Sequence, residues 1–171
     1  LRTNYIEELK KCGDELYKKN QYWEFIQAKS SELIEALSST LKLPISYVKE
    51  KNGAWLVDVR KEPNYEKKSS GEKKLIDNQL NEMINYKYRF INYNGLRNSH
   101  LQALSENFTI NPFDDKVIII DESLNFVSRI VNKLKKSKKK TLSIMLYEYL
   151  MSANNCKIIL LSGTPIINYP N

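Results

Sequence analysis

The amino-acid sequence predicts an α/β fold built on a mostly parallel sheet. Residues 117–120 and 157–161 are nearly uninterrupted apolar runs, and the first of them consists entirely of β-branched residues. Such runs are typical of strands that are covered on both faces, as in parallel sheets. Residues 125–134 and 141–153, which lie between the two runs, are predicted to be helical. Strand, helix and strand in this order favour a right-handed α/β unit.

The composition is that of a globular protein with a basic excess. Of the 171 residues, 42% are apolar and 27% are charged, a balance that argues against a disordered chain. No apolar run approaches the roughly 18 residues of a membrane span, so no membrane association is expected. The net charge of +7 favours a polyanionic partner such as nucleic acid, although a lysine-rich proteome would produce the same excess.

The cysteines favour an intracellular location, and the two ends of the chain are predicted to be cuts. Cys12 and Cys156 lack the spacing of a metal site or a disulfide framework, which favours a reducing compartment. The chain opens on Leu1 without a signal-peptide pattern and stops at Asn171 without a terminating element. We interpret both ends as cuts in a longer protein.

The first elements are predicted from apolar spacing and from residues that begin or end helices. A helix is expected over residues 1–12 and a short strand over 22–26. A second amphipathic helix starts at Ser31 and ends before Pro44. Its apolar positions are Leu33, Ile34, Leu37 and Leu41.

A β-hairpin is predicted over residues 45–59. Two strand-like runs, Tyr47-Val48 and residues 54–57, flank Asn52-Gly53. Asn-Gly is a strong hairpin signal because both central residues of the turn need a positive φ. The polar residues 62–74 that follow are predicted to be a loop, so the hairpin and the loop together form an insertion over about residues 45–74.

Three further elements precede the first apolar run. A strand is expected over residues 88–93 and a short helix over 96–104. Residues 71–86 are expected to form a longer helix, with Leu75, Leu80, Met83 and Ile84 facing inward.

The acidic pair Asp121-Glu122 directly follows the first apolar run. Ligands of open parallel sheets bind beyond the carboxyl ends of the strands. Asp121 is therefore predicted to hold Mg²⁺ through water, since this ion takes oxygen ligands and keeps several waters. Glu122 is predicted to orient or deprotonate a water that attacks the γ-phosphate of a nucleotide. The alternative is an ordinary helix start, where the helix dipole favours acidic residues.

A second polar turn follows the second apolar run. Ser162, Gly163 and Thr164 come directly after it, and Pro165 prevents the strand from continuing. If the two strands are neighbours, the hydroxyls of Ser162 and Thr164 lie near the acidic pair.

These two turns resemble motifs of superfamily 2 helicases. Residues 121–124 read Asp-Glu-Ser-Leu and are similar to motif II, the Walker B box. Residues 161–168 read Leu-Ser-Gly-Thr-Pro-Ile-Ile-Asn and resemble motif III of the Swi/Snf-like branch. Residues 1–8 are similar to motif Ia of that branch, and residues 88–96 occupy the place of motif Ib. The four segments occur in the order that the family has.

The resemblance implies roles that the composition does not show. Motif II binds Mg²⁺ and ATP and supplies Asp121 and Glu122 as catalytic residues. Motif III, with Ser162, Gly163 and Thr164, couples the ATP site to double-stranded DNA. Motifs Ia and Ib contact the DNA backbone, and the residues expected to do so are Arg2, Thr3, Asn4, Asn94 and Arg97. A solvated helix start is the alternative for Arg2 to Asn4.

The resemblance also implies an architecture and a setting. Residues 1–171 are expected to be the later part of a RecA-like helicase ATP-binding domain 1, from motif Ia to motif III. The phosphate loop is expected upstream and a second RecA-like domain downstream. Residues 125–131 and the predicted insertion resemble helicases of large nucleocytoplasmic DNA viruses, relatives of the poxviral early transcription factor and nucleoside triphosphatase I. Viral transcription machinery is therefore an expected partner, and the virion or a viral factory in the host cytoplasm an expected location.

Two departures from the family pattern support another interpretation. Ser123-Leu124 stands where family members usually have Ala-His, and no Gly-x-x-x-x-Gly-Lys-Ser/Thr occurs in the sequence. We therefore expect that residues 1–171 alone do not hydrolyse ATP. The alternative function is a non-catalytic basic nucleic-acid-binding module that retains a RecA-like fold. Six lysines within residues 133–140 are either a phosphate-binding patch or, as we favour, a solvated loop.

Overall fold

The computed structural model describes residues 2–136 and 141–163. For residues 133–136 it describes the backbone alone. The chain is a mixed α/β protein that divides into two compact units, Leu1–Phe90 and Ile91–Asn171, called unit 1 and unit 2 below. In the described part of both units, no helix combines the length and the apolar character that crossing a membrane requires.

Unit 1 contains four α-helices and a two-stranded antiparallel sheet around one hydrophobic core. The elements are α1 (Arg2–Cys12), β1 (Trp23–Gln27), α2 (Ser31–Leu41), α3 (Ile45–Lys51), β2 (Gly53–Val57) and α4 (Ser70–Lys87). The predicted helices over residues 1–12 and from Ser31, and the predicted strand over 22–26, are thereby confirmed to within one or two residues.

Helix α4 begins at a capping box and buries one stripe. The Ser69 hydroxyl accepts a hydrogen bond from the Glu72 amide, while the Glu72 carboxylate accepts one from the Ser69 amide at 2.9 Å. Leu80, Met83 and Ile84 are fully buried, as predicted. The prediction for Leu75 is wrong, because that side chain is 48% exposed and Ile76 takes the inward position one residue later. Ile76 shares the stripe with Leu80 at the i, i+4 helical spacing.

The predicted hairpin over residues 45–59 is wrong, although part of it is a strand. Tyr47 and Val48 lie on helix α3, and Val48 is buried in the core. Asn52 ends this helix in the left-handed conformation, with φ of 53°, so the Asn-Gly pair is a helix C-cap and not a hairpin turn. Strand β2 pairs instead with β1, and Trp55 lies opposite Phe25. A Cβ atom at Gly53 would collide with the carbonyl oxygen of Ile26.

One side-chain amide pairs with the backbone on each outer edge of the β1–β2 sheet. The Asn64 carbonyl accepts a hydrogen bond from the Trp23 amide at 2.8 Å, and its NH₂ group donates to the Trp23 carbonyl at 3.0 Å. On the opposite edge, Gln79 binds the backbone of Trp55 in the same two-sided way. Each amide imitates one residue of an absent third strand, which protects edges that would otherwise pair with another chain.

An ion-pair network around the buried Lys10 holds helix α1 against α4. The Lys10 side chain is only 1% exposed, and its Nζ lies 2.8 Å from Oδ1 of Asp77 on α4. Glu7 approaches the same Nζ at 3.0 Å, and Lys19 binds Asp77 at 2.7 Å. The buried ammonium group therefore has carboxylate partners, as a charge inside a protein requires.

Unit 2 contains three α-helices and a two-stranded parallel sheet within its described residues. The elements are α5 (Asn98–Leu104), β3 (Val117–Ile120), α6 (Ser123–Lys136), α7 (Leu142–Met151) and β4 (Lys157–Leu160). Strands β3 and β4 pair in parallel, with Ile118 opposite Ile158 and Ile120 opposite Leu160. The predicted strand, helix, strand arrangement and the predicted short helix before it are confirmed.

The strand predicted over residues 88–93 is wrong. Helix α4 runs through Lys87, and a 3₁₀ turn occupies Tyr93–Gly95. The Asn92 side chain accepts a hydrogen bond from the Asn94 amide at 3.1 Å, a local bond that competes with extended structure.

The prediction that the apolar strands are buried on both faces is also wrong. Ile118, Ile120 and Ile158 pack into the core of unit 2. On the opposite face, Val117 is 64% exposed and Ile119 is 50% exposed. Among the described residues of unit 2, the core packs on one face of this sheet, whereas parallel sheets ordinarily have both faces covered.

Candidate functional site

An acidic turn joins strand β3 to helix α6. Asp121 is partly buried and Glu122 is exposed, and together they follow the buried Ile120. The Glu122 amide donates a hydrogen bond to Oδ1 of Asp121 at 2.9 Å. Glu122 adopts φ of 50°, the left-handed region that residues other than glycine seldom occupy. The turn therefore has a defined and locally strained conformation at the carboxyl end of the strand.

Backbone hydrogen bonds place the second polar turn beside the first. The Leu161 amide donates to the Ile120 carbonyl at 2.9 Å, and the Ser123 amide donates to the Leu161 carbonyl at 2.9 Å. The parallel ladder thus continues past both strands and brings Ser162 and Gly163 next to the acidic turn. Thr164 and the rest of the second motif lie outside the described residues. The expectation that the two strands are parallel neighbours is confirmed; the chemical roles of these residues stay predictions.

Tyr93 is a member of this site that the sequence did not single out. Its hydroxyl donates to the Glu122 carbonyl at 3.1 Å and lies 3.4 Å from the Asp121 carbonyl. Its ring packs edge-on against Phe126 of α6, with 5.5 Å between ring centroids. The only sequence signal was an aromatic residue in the segment that resembles motif Ib, and nothing in that pattern indicates a contact with the acidic turn.

The acidic turn offers the donor atoms that Mg²⁺ prefers. Asp121 and Glu122 supply carboxylate oxygens at the edge of the sheet, and a magnesium ion completes its shell with water. The donor set therefore fits a water-rich magnesium site at Asp121. No group of three or more His, Cys, Asp or Glu side chains that could hold a metal ion occurs in residues 2–136 and 141–163.

The residues predicted to bind nucleic acid fall into both units. Arg2, Thr3 and Asn4 begin helix α1 of unit 1 and are exposed. The Arg2 guanidinium donates to the Asn85 side chain at 2.8 Å and lies 5.2 Å from the centroid of the Phe90 ring. Arg2 therefore already has partners within its own unit, whereas Thr3 and Asn4 present their side chains to solvent.

Asn94 and Arg97 belong to unit 2, the unit that carries the acidic turn. Asn94 lies in the 3₁₀ turn that begins at Tyr93, and Arg97 precedes helix α5. Both side chains are exposed. Asn94 and Arg97 therefore lie in the same segment as Tyr93, whose hydroxyl contacts the acidic turn.

Searches against known protein families, curated proteins and solved structures found no match to this chain.

Proposed function

We propose that this chain is part of an ATP-dependent DNA helicase or translocase of the Swi/Snf-like branch of superfamily 2. One observation carries the proposal: the Asp121-Glu122 turn and the Ser162-Gly163 turn lie side by side at the carboxyl end of a parallel strand pair. The carboxyl ends of parallel strands are where α/β proteins bind nucleotides. The order of the helicase-like motifs along the chain supports the same conclusion.

Each residue of the acidic turn has a separate task in the proposed hydrolysis. Asp121, partly buried and held by the Glu122 amide, would hold Mg²⁺ through water. When bound, the ion would neutralise charge on the β- and γ-phosphates of ATP. The exposed Glu122 carboxylate would accept a hydrogen bond from the attacking water and orient it toward the γ-phosphate.

The proposed coupling role belongs to Ser162, Gly163 and Thr164. The Leu161 amide donates to Ile120 directly before the acidic turn, and the Leu161 carbonyl accepts from Ser123 directly after it. A displacement of the 161–163 backbone would therefore shift the residues on both sides of Asp121 and Glu122. Arg2, Thr3, Asn4, Asn94 and Arg97 would contact the phosphates of duplex DNA. Viral transcription machinery is the further partner that we propose, with the virion or a viral factory as the location.

Turnover in a longer version of the protein tests the proposal. The chain is extended upstream through the phosphate loop and downstream through the second RecA-like domain, both of which the proposal requires, and ATP hydrolysis is measured with and without duplex DNA. We expect DNA-stimulated turnover that Asp121→Ala and Glu122→Gln reduce by about 10³-fold or more, since both act on the reacting phosphate. Glu106→Gln, at an exposed carboxylate of the same unit, serves as the control and leaves turnover unchanged. Full turnover in Asp121→Ala excludes the proposal.

Leu124 favours a second candidate, a basic nucleic-acid-binding module without catalysis. The leucine stands at the position where the family has a polar histidine, and residues 1–171 contain no phosphate loop. The upstream reading frame separates the two candidates. A Gly-x-x-x-x-Gly-Lys-Thr sequence about 30 residues before Leu1 would favour the motor, and its absence would favour the module.

A further inference from the structure

Tyr93 connects the exposed segment 92–97 to the acidic turn. The segment alternates between anchored and exposed residues: Tyr93 and Leu96 pack against the core of unit 2, while Asn94 and Arg97 are exposed. A ligand that binds Asn94 and Arg97 would therefore act on the backbone directly next to Tyr93, which packs against the core.

The Tyr93 hydroxyl acts on a backbone that needs to be held in place. Glu122 has φ of 50°, and the left-handed conformation is strained for a residue that carries a side chain. The Glu122 carbonyl accepts two hydrogen bonds, from the Asn125 amide at 2.9 Å and from the Tyr93 hydroxyl at 3.1 Å. The first bond belongs to the start of helix α6. Of these two bonds to the Glu122 carbonyl, the Tyr93 bond comes from a residue outside the turn and helix α6.

The Tyr93 side chain is a hydrogen-bond donor whose ring packs against helix α6. A tyrosine hydroxyl carries one proton that it can donate, and here the Glu122 carbonyl accepts it at 3.1 Å. Phe126, which is 6% exposed, packs edge-on against the ring at an interplanar angle of 70°. This packing connects the position of the hydroxyl to that of the backbone at residue 93.

From this geometry we propose that Tyr93 is a positioning residue: duplex DNA held at Asn94 and Arg97 sets the conformation of the Asp121-Glu122 turn through the Tyr93 hydroxyl. The inference rests on the proposed function, since it names a route by which DNA regulates the ATP site. Tyr93 touches neither ATP nor DNA in this scheme. Its contribution is to bring the catalytic turn into one defined conformation when DNA is bound.

Hydrogen exchange in the 171-residue chain tests the coupling without requiring ATP hydrolysis. Amide exchange is followed over residues 121–125, with and without a saturating concentration of duplex DNA. In the wild-type chain we expect DNA to slow exchange at Glu122 and Ser123 by about fivefold or more, the lower end of ordinary coupling between sites. In Tyr93→Phe, which keeps the ring and removes the donor, we expect the effect of DNA to fall below about twofold.

Two further variants separate coupling from a merely structural effect. Tyr149→Phe removes a hydroxyl from another partly buried tyrosine of unit 2, one with no side-chain hydrogen bond within the described residues, and should keep the full effect of DNA. Arg97→Ala removes the proposed DNA contact and leaves Tyr93 in place. In this variant too, DNA should no longer slow amide exchange at Glu122 and Ser123. Circular dichroism verifies that each variant is folded, and if Tyr93→Phe does not fold, an undiminished effect of DNA in Arg97→Ala overturns the inference.

Each outcome bears on the inference. An effect of DNA that is lost in Tyr93→Phe and kept in Tyr149→Phe supports it. An unchanged effect in Tyr93→Phe overturns it, as does a wild-type chain that binds DNA without any change at residues 121–125, and both results leave the proposed DNA binding intact. A wild-type chain that binds no duplex DNA overturns the inference and removes the DNA-binding part of the proposed function with it.

Discussion

Gln79 forms two hydrogen bonds with the backbone of Trp55. The Trp55 amide donates to Oε1 of Gln79 at 2.7 Å, and Nε2 of Gln79 donates to the Trp55 carbonyl at 2.7 Å. Gln79 is 1% exposed, so without this side chain the amide and carbonyl of Trp55 would have no water to bind. A buried polar group without a partner costs more than a hydrogen bond contributes, which makes this contact a sensitive point of unit 1.

Replacement of Gln79 should destabilise unit 1. We expect Gln79→Ala to lower the free energy of unfolding by about 2–4 kcal/mol, because it leaves one donor and one acceptor unpaired. Urea denaturation followed by tryptophan fluorescence measures this, since Trp23 and Trp55 both lie in the core of unit 1. Asn78→Ala, at an exposed amide on the same helix, should change stability by less than about 0.5 kcal/mol. Equal effects of the two variants would contradict the assigned role of Gln79.

The ion-pair network of unit 1 predicts a loss of stability in acid. Burial pushes the pKa of Asp77 upward, but hydrogen bonds and charge from Lys10 and Lys19 outweigh burial and hold the pKa below its ordinary value of 3.8. A lowered pKa stabilises the folded state above pH 3.8, and this contribution is lost as the pH falls through the folded-state pKa.

Asp77→Asn tests this pH dependence. At pH 7 the variant should be less stable than wild type by about 2 kcal/mol, since Lys10 keeps only Glu7 as a close carboxylate partner. The difference should shrink as the pH falls below about 4, where wild-type Asp77 also begins to take up a proton. Urea midpoints measured from pH 7 down to pH 3 provide the comparison. A difference that is constant over this range would exclude the carboxylate as its source.

The bare face of the β3–β4 sheet predicts an asymmetry between adjacent residues. Ile119 is 50% exposed and Ile120 is 9% exposed. We expect Ile119→Thr to change the stability of unit 2 by less than about 0.5 kcal/mol, whereas Ile120→Thr should cost about 1.5–3 kcal/mol through lost apolar burial. Hydrogen exchange of the β3 and β4 amides is the appropriate measurement, because neither tryptophan lies in unit 2. Comparable losses would mean that the face is covered in solution, for instance by association of two chains.

Leu124→His should strengthen coupling if the proposed function is correct. The substitution supplies the polar side chain that the resembled family has after the acidic pair, and Leu124 is only partly buried, so a histidine can be accommodated. In the chain extended through its phosphate loop, we expect DNA-stimulated ATP turnover to rise about fivefold or more, the lower end of ordinary coupling energies. Leu124→Ala, which shortens the side chain without adding a polar group, serves as the comparison. Equal stimulation in both variants would argue against a coupling role at this position.

Local signals predicted the helices and the neighbouring parallel strands. Helix α2 begins after Ser30, whose hydroxyl accepts a hydrogen bond from the Leu33 amide, and its buried residues follow the expected stripe. Strands β3 and β4 were evident because each is a short apolar run bounded by polar residues. The position of the acidic turn followed from the same pattern.

The wrong predictions concern features that depend on contacts distant in sequence. The Asn52-Gly53 pair is compatible with a hairpin turn and with a helix C-cap, and the pairing of β2 with β1, separated by about 25 residues, decides between them. Burial of Ile119 requires a second covering layer, which no local pattern reveals. The contact between Tyr93 and Glu122 joins residues that are 29 positions apart, so no local spacing predicts it.

The closure of the unit 1 sheet has a consequence for how the chain is made. Asn64 and Gln79, which satisfy the two outer edges, both lie within residues 1–90. The residues that pair with this sheet are thus synthesised before unit 2, and domains generally fold as units during synthesis, starting from the amino terminus. Unit 1 should therefore reach its native state on the nascent polypeptide, and arrested translation after residue 130 should yield a protease-resistant core that Gln79→Ala weakens.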